Sequence, residues 1–305
     1  MYDLRQLDAQ PELQSLLCQR LWGCAPTQAR RVGEGFYGVV YRIDLPQPPG
    51  RAIVKWYKTP GHHRREGAQL DLLRPHSRLP VPEVYGYHDG DDALPFQAMA
   101  MAWAPGINAS LLPTDHPHRD RFADQLVDNL LHLHRVAAPA FDLGEGPFAD
   151  WAAGYRARVD RLHAGLRADG RVSEQVLAIA QRSLEAYPNI FSEPVAPRLI
   201  HSDYNLWNIL ADPDTGEITA VIDPMDAGFA DREMDLFHLQ NADGDRFELL
   251  TRYRARAQLS AHFEAKNAFY RFWDDVKHLC NMGWYDEAAF QHYGGILSDA
   301  LDRER

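Results

Sequence analysis

The stretch RLIHSDYNLWNILADPDTGEITAVIDP, residues 198–224, decides how this chain reads. It is a β-rich island between helical regions. Asn208-Ile209-Leu210 and Ile218–Ile222 read as short strands, and DPDTGE (212–217) between them is turn chemistry. A hairpin symmetric about Thr215-Gly216 sets Asn208 and Asp223 side by side at its open end. An amide oxygen beside a carboxylate is a hard-ligand pair suited to Mg²⁺. Asp203 lies five residues before Asn208, on the loop entering the hairpin, so three oxygen-bearing groups are expected at one mouth. A carboxylate beside such a pair can act as general base toward a hydroxyl. Loop Asp and Asn side chains often bond only their own backbone. The composition, however, gives His-x-Asp-x4-Asn a chance expectation of about 0.03, and its placement before a hairpin ending in Ile-Asp favours chemistry.

Upstream, Gly33-Glu34-Gly35-Phe36-Tyr37-Gly38-Val39-Val40-Tyr41 contains G-x-G-x-x-G followed by β-branched and aromatic residues. The dinucleotide-binding version of this spacing opens a helix. Here the loop joins two strands, as phosphate-covering loops do. Ala52-Ile53-Val54-Lys55 falls in the next strand, and Glu66 falls on the helix after it. A strand-borne ammonium fixed by a carboxylate can reach nucleotide phosphates. Taken singly, Lys55 is an edge-strand charge and Glu66 a solvated helix position. The order glycine loop, Lys, Glu, His-x-Asp-x4-Asn, Asp gives them a common purpose.

Around these motifs the pattern divides. Residues 10–24 carry Leu13, Leu16, Leu17 and Leu21 at helical spacing. Strands are expected near 39–43, 51–58 and 96–106, with a short one in LPVPEVYGYHDGDD and a helix over 62–74. After Gly106 the chain turns helical: 121–136 has Leu126, Val127, Leu130 and Leu133 on one stripe, two helices are expected in 150–187, and 246–302 is helical and aromatic-rich. The expectation is an α+β, bilobed chain. Residues 1–103 form a small antiparallel β lobe with one crossing helix, and 104–305 a larger, mainly helical lobe.

Composition sets the bounds. The 305 residues are 45% apolar and 25% charged, a globular balance. No apolar run is long enough for a membrane helix, and MYDLRQLDAQPEL lacks the form of a signal peptide. Cys18, Cys24 and Cys280 are too few and odd in number for a secreted framework. They read as small hydrophobes in a reducing cytoplasm. The net charge of −11 opposes a nucleic-acid or anionic-membrane partner. Residues 1–104 net +1 and 105–305 net −12, so the acidic part suits a cationic or polyhydroxylated ligand. Basic residues are 28 Arg and four Lys: Lys55, Lys58, Lys266 and Lys277. In so Arg-rich a chain, a Lys marks a place where a compact ammonium is needed. The close His pairs (62/63, 116/118, 132/134) lack Cys or H-E-x-x-H partners, so they do not read as zinc sites.

From about Val32 to Leu239 the chain resembles the aminoglycoside phosphotransferase superfamily, with its fructosamine kinase and choline kinase relatives, on the protein-kinase-like fold. Leu199–Asn208 is similar to its H-G-D-x4-N loop, and Ile222-Asp223 through Ala227-Gly228-Phe229-Ala230-Asp231 to Asp235-Leu236 is similar to its I-D and A-G-x-x-D segments. The resemblance implies that Asp203 is the catalytic carboxylate and that Asn208 and Asp223 hold Mg²⁺. It implies that Lys55, paired with Glu66, holds the α/β-phosphates of ATP under a loop of Gly33, Gly35, Phe36, Tyr37 and Gly38. Ala102-Trp103-Ala104 is then the hinge near the adenine, and Asp235 braces the catalytic loop.

The chain departs from the pattern in several places. Ser202 replaces the usual Gly, and Pro224 and Arg232-Glu233 are fructosamine-kinase-like, while the Asp223-to-Asp231 spacing is similar to antibiotic kinases. Asn205 stands where protein serine/threonine kinases carry Lys, and no A-P-E segment follows Asp223, so a protein substrate is disfavoured. The segment Phe272–Lys277 resembles uncharacterised bacterial members. The expected activity is transfer of the γ-phosphate of ATP to a hydroxyl of a small aminoglycoside-, ketoamine- or choline-like acceptor. The rival is a regulatory pseudokinase that binds nucleotide without turnover.

Overall fold

In this computed structural model, which describes residues 2–304, the chain opens with α1 (Gln6–Ala9) and α2 (Pro11–Trp22). Pro11 supplies a preset φ at the first helical position, and Gly23, at φ 71°, ends α2 in the left-handed region that glycine tolerates best. Next come β1 (Gln28–Glu34), β2 (Gly38–Asp44), β3 (Arg51–Tyr57), α3 (His62–Leu73), β4 (Val84–His88) and β5 (Ala98–Ala102). They form an antiparallel sheet of order β1-β2-β3-β5-β4. Strand alternation gives the sheet two unlike faces. Val39, Tyr41, Ile43, Val54 and Trp56 point to one face and bury with Leu7, Leu13, Leu17 and Cys18 of the first two helices. The indole of Trp56 donates to Gln14 Oε1 at 3.2 Å there. Val40, Arg42, Ile53 and Lys55 fall on the other face.

The first compact unit runs to Leu112 and also takes in Trp207–Met225. It therefore extends past residue 103, and the chain returns to it for the hairpin. β6 (Ile107–Asn108) pairs with β8 (Ile209–Ala211), which pairs with β9 (Ile218–Val221). The backbone N–H of Val221 donates to Pro80 O at 2.8 Å, and Gln69 Nε2 donates to Met225 O at 3.2 Å. These bonds stitch the hairpin to the loop after α3 and to α3 itself.

The second unit comprises Pro113–Leu206 and the chain from Asp226 onward. It holds α4 (Arg119–Leu133), α5 (Trp151–Ala168), α6 (Glu174–Ile190), the two-stranded pair of β7 (Arg198–Ile200) and β10 (Gly228–Ala230), and a 3-10 stretch over Arg232–Phe247 kinked at 241–243. It closes with α7 (Leu249–Arg254), α8 (Phe263–Met282) and α9 (Glu287–Arg303). Asp150, Ser173 and Asp286 cap α5, α6 and α9 through their side-chain oxygens. The core is aromatic: Phe269 of α8 meets the rings of Tyr155, Tyr187, Phe191 and Trp273 at centroid distances of 5.3–6.4 Å. Cys18 is buried as expected of a small hydrophobe, whereas Cys280 is exposed at the end of α8.

Phe269→Ala removes a fully buried ring from the centre of this cluster and is expected to lower stability by about 3–5 kcal/mol. Urea denaturation followed by tryptophan fluorescence measures it, and a loss below ~1 kcal/mol counts against a core organised around that ring.

Candidate active site

Period-2 alternation along β3 places Ile53, Lys55 and Tyr57 on one face. Antiparallel register sets Val40 across from Lys55 and Arg42 across from Ile53. Lys55 is buried, and its ammonium bridges two carboxylates. It donates to Glu66 Oε2 of α3 at 2.7 Å and to Asp223 Oδ1, just beyond β9, at 2.6 Å. The Tyr57 hydroxyl donates to the same Glu66 oxygen at 2.8 Å. Burial alone would lower the Lys55 pKa, but the Asp223 and Glu66 charges outweigh it and hold the ammonium protonated above its ordinary value. Glu66 is 9% exposed at its side chain and Asp223 43%, so Asp223 is the member that faces outward.

It faces a cavity of about 580 Å³ within the first unit, in the range of small-molecule sites. Gly33, Glu34 and Gly35, Ala102-Trp103-Ala104, and the polar residues Lys55, Glu66, Asn208 and Asp223 line it. Ile53, Met101, Leu210 and Ile222 supply apolar surface. Asn208 and Asp223 thus both line one cavity, but not through the symmetric register. Asn208 O accepts from Ile222 N–H at 2.9 Å, so the amide residue pairs with Ile222 and Asp223 lies one residue beyond, at φ 56°. Beside the turn Ala211 pairs with Ile218, and a register shift between Ala211 and Leu210 carries the pairing one residue toward Asp223 without reaching it.

The glycine loop is tethered at its base. Gly35 N–H donates to Gly38 O at 2.9 Å, and Lys58 Nζ reaches Glu34 Oε1 at 2.6 Å and Gly35 O at 2.9 Å. Gly33 and Gly35 line the cavity. Phe36 is exposed, and Tyr37 stacks on His62 with centroids 4.8 Å apart. Gly38 is glycine for a steric reason: a Cβ there would lie 2.3 Å from Trp56 O. Among the described residues, no atom outside the glycine and its chain neighbours stands within 4 Å of a Cβ built at Gly33 or Gly35, so packing there does not demand glycine. The Arg51 guanidinium lies 4.4 Å from the centre of the Trp103 ring. Trp207, also on the cavity wall, is 60% exposed.

Asp203 belongs to the second unit and has its own setting there. Asn205 Nδ2 donates to its Oδ1 at 2.5 Å, and His238 Nδ1 lies 3.3 Å from the same oxygen. Burial pushes the Asp203 pKa up, but the His238 hydrogen bond and charge prevail and hold it below the ordinary value. Asp235, fully buried, accepts from His201 N–H at 2.9 Å and Ser202 N–H at 2.5 Å, while His134 Nε2 lies 3.1 Å away. It therefore fixes the backbone just ahead of Asp203. Ser202 has φ 62°, which explains why glycine suits this position. Nearby, Lys277 lies between Asp274 at 2.5 Å and Asp226 at 3.5 Å, and Arg158 donates to Asp226 at 2.6 Å. Among the sequence-selected residues, Lys55, Glu66, Asn208 and Asp223 line one cavity. Tyr57 and His238 were not anticipated. Tyr57 was findable from strand alternation, two residues past Lys55. His238 carries no local signal, because only folding brings it to Asp203.

With a glycine loop, a buried Lys–Glu pair and a hairpin carrying Asn and Asp in one unit, and a braced Asp loop in the other, the chain belongs to the phosphotransferase enzyme family, whose model matches residues 28–272. The Escherichia coli K12 protein YcbJ, itself uncharacterised, is 27% identical over 256 residues, covering 79% of this chain and 83% of that one. A thermostable mutant of an aminoglycoside phosphotransferase, solved with ADP and hygromycin B, aligns with TM-score 0.70 at 17% identity over 95% of this chain and 97% of that one. A Thermobifida fusca protein to which fructosamine-3-kinase activity has been attributed aligns with TM-score 0.68 at 23% identity, over 94% and 98%. The fold is thus the kinase-like α+β fold of these phosphotransferases. Among the described residues no helix is long and apolar enough to cross a membrane.

Two expectations follow from the local geometry. Ser202→Gly relieves a left-handed backbone and removes a buried hydroxyl that has no hydrogen-bond partner among the described residues. Against the extra entropy of an unfolded glycine, it is expected to stabilise the protein by up to ~1 kcal/mol, read from the denaturation midpoint; destabilisation would show that the strain is not there. Asp275 on α8 is buried, and desolvation raises its carboxyl to about 7. Unfolded, such a group titrates near ~3.9. Between these values the folded protein keeps a proton that the unfolded chain has released. The contribution is fully present below pH ~4 and is lost as pH rises through about 7. Asp275→Asn should flatten that decline in a stability–pH series, and an unchanged slope rejects the assignment.

Proposed function

We infer that the protein transfers the γ-phosphoryl group of ATP to a hydroxyl of a small molecule. The observation that carries this reading is the buried Lys55 ammonium held between Glu66 and Asp223 in the lining of the cavity. A cation desolvated there is oriented in advance for phosphate oxygens. The open space over Gly33 and Gly35 suits close approach of phosphates to backbone. Phe36, Tyr37 and Gly38 complete the loop as its tip and base, and Ala102-Trp103-Ala104 offers a backbone edge and a ring for the adenine.

Asn208 and Asp223 fit a Mg²⁺ ion: an amide and a carboxylate, both oxygen donors, lining one cavity. When bound, the ion would neutralise phosphate charge. Asp203 is suited to the acceptor. Held ionised by His238 and pinned by Asn205, it can orient the hydroxyl and take its proton as oxygen attacks the γ-phosphorus. The bond to the β-bridging oxygen breaks, and ADP leaves. Such transfer asks the protein for positioning and charge stabilisation rather than covalent chemistry.

The reading is tested on two variants. Asp203→Asn should lower turnover about 10²- to 10⁴-fold while nucleotide affinity changes less than about tenfold. Asp223→Ala should abolish the Mg²⁺-dependent part of the rise in melting temperature produced by ATP and leave the apo protein folded. Acceptors are screened as aminoglycosides, glycated amines, choline and sugars, with ATP hydrolysis by water as the fallback assay. Tight ATP binding without any turnover in the wild type would identify a pseudokinase; wild-type turnover in Asp203→Asn would remove Asp203 from the mechanism.

A further inference from the structure

Lys58 is one of four lysines in a chain with 28 arginines, and the phosphotransfer reading gives it no task. It directly follows β3 and bonds the glycine loop three times. Its ammonium donates to Glu34 Oε1 at 2.6 Å and to Gly35 O at 2.9 Å, and its backbone N–H donates to Tyr37 O at 2.8 Å. Two loop carbonyls and the loop carboxylate are thus turned toward one residue. A guanidinium would spread its donors in a planar fork, whereas an ammonium serves a carboxylate and a carbonyl from one point. The Lys58 side chain is 21% exposed, so these bonds are largely shielded from water.

The clamp is itself held from two sides. Tyr2 N–H donates to Lys58 O at 2.7 Å, and the Tyr2 ring meets Phe96 edge-on with centroids 5.9 Å apart. Arg31 of β1 bridges Glu34 and Asp8 of α1, and Asp8 also accepts from the Tyr41 hydroxyl of β2. The series Asp8, Arg31, Glu34, Lys58 alternates in sign and ends on the loop backbone. The Glu34 carboxyl is held below its ordinary value, first by the Lys58 hydrogen bond, with the Arg31 charge adding to it.

A loop with glycine at 33, 35 and 38 is costly to order. Ordering it before a ligand arrives spares that cost at binding. An anion meets backbone through N–H groups, and here the carbonyls of Gly35 and Tyr37 are already engaged elsewhere. Glu34 lines the cavity, where a bare carboxylate would repel phosphates; Lys58 and Arg31 take up its charge. We propose that Lys58 is the positioning residue of the glycine loop, holding it ordered for nucleotide phosphates, and that Asp8, acting through Arg31 and Glu34, sets how firmly it does so. The proposal rests on the nucleotide reading of the cavity and adds to it a control on affinity that begins in α1.

Two measurements on the whole protein test it: amide hydrogen exchange without nucleotide, and ATP–Mg²⁺ binding by calorimetry, with kinetics followed as ATP hydrolysis by water. Lys58→Met keeps the methylene stem and loses the ammonium. Exchange over residues 33–38 should speed about tenfold while the rest of the sheet and the denaturation midpoint hold. Kd and KM for ATP should rise about tenfold with kcat within about twofold, because the clamp serves bound nucleotide and transition state alike. Asp8→Asn keeps an acceptor for Tyr41 and loses the charge that holds Arg31. It should shift both readouts the same way, by about threefold, and add nothing in the Lys58→Met background. If Lys58→Met lowers the midpoint, Asp8→Asn, at a half-exposed side chain, carries the same two readouts. If the wild type does not bind ATP, the nucleotide reading falls and exchange alone decides whether Lys58 orders the loop. Unchanged exchange over 33–38, wild-type ATP affinity despite faster exchange, a loss confined to kcat, or an undiminished effect of Asp8→Asn in the Lys58→Met background overturns the proposal.

Discussion

A single buried ammonium holds the first unit's chemistry in place. Lys55 comes from the sheet, Glu66 from α3 and Asp223 from the end of the hairpin, so three elements distant in sequence meet at one charge. Desolvating an ion is costly, and removing one partner from a buried pair leaves the other uncompensated, at about 3–5 kcal/mol. The cluster is therefore stable only when strand, helix and hairpin are all seated. Glu66 is enclosed and further tied by Tyr57, while Asp223 lines the cavity.

The same device recurs in the second unit. Lys266 lies between Asp231 at 2.6 Å and Glu233 at 2.8 Å, and Lys277 between Asp274 and Asp226. Lys55, Lys266 and Lys277 are each buried between two carboxylates. In a chain with 28 Arg the choice is physical: a guanidinium is a planar fork wider than such a gap, whereas an ammonium is a point charge with rotatable donors. Carboxylates in turn hold backbone. Asp235 pins His201 and Ser202, and Asp231 caps the 3-10 stretch while accepting from Tyr270 at 2.8 Å. The Asp203 loop thus owes its shape to buried polar groups rather than to packing alone.

Much of the site could be read from residues close in sequence. The hairpin was legible because a turn cluster sits between two short apolar runs, and Lys55 with Glu66 because strand and helix periodicities were clear on either side of Gly61. The off-by-one register was not legible, because strand pairing is set by how β8 packs on β6 and β9 rather than by turn composition. The steric role of Gly38 was hidden for a similar reason: the carbonyl it avoids belongs to the neighbouring strand. The boundary expected near 103 did not foresee that Trp207–Met225 returns to the first unit. That return rests on bonds from the hairpin to Asn108 and Pro80, about a hundred and more residues earlier.

By itself, the sequence determined the α+β class, the order of elements and the residue types available for chemistry, because these depend on local periodicity, turn preferences and spacing. Only the tertiary structure decided which carboxylate completes the Lys55 cluster and which histidine stands against Asp203. Those outcomes depend on burial and on contacts between distant segments. A polar group's environment changes by several kcal/mol when water is excluded from it, and no pattern along the chain records where that exclusion occurs.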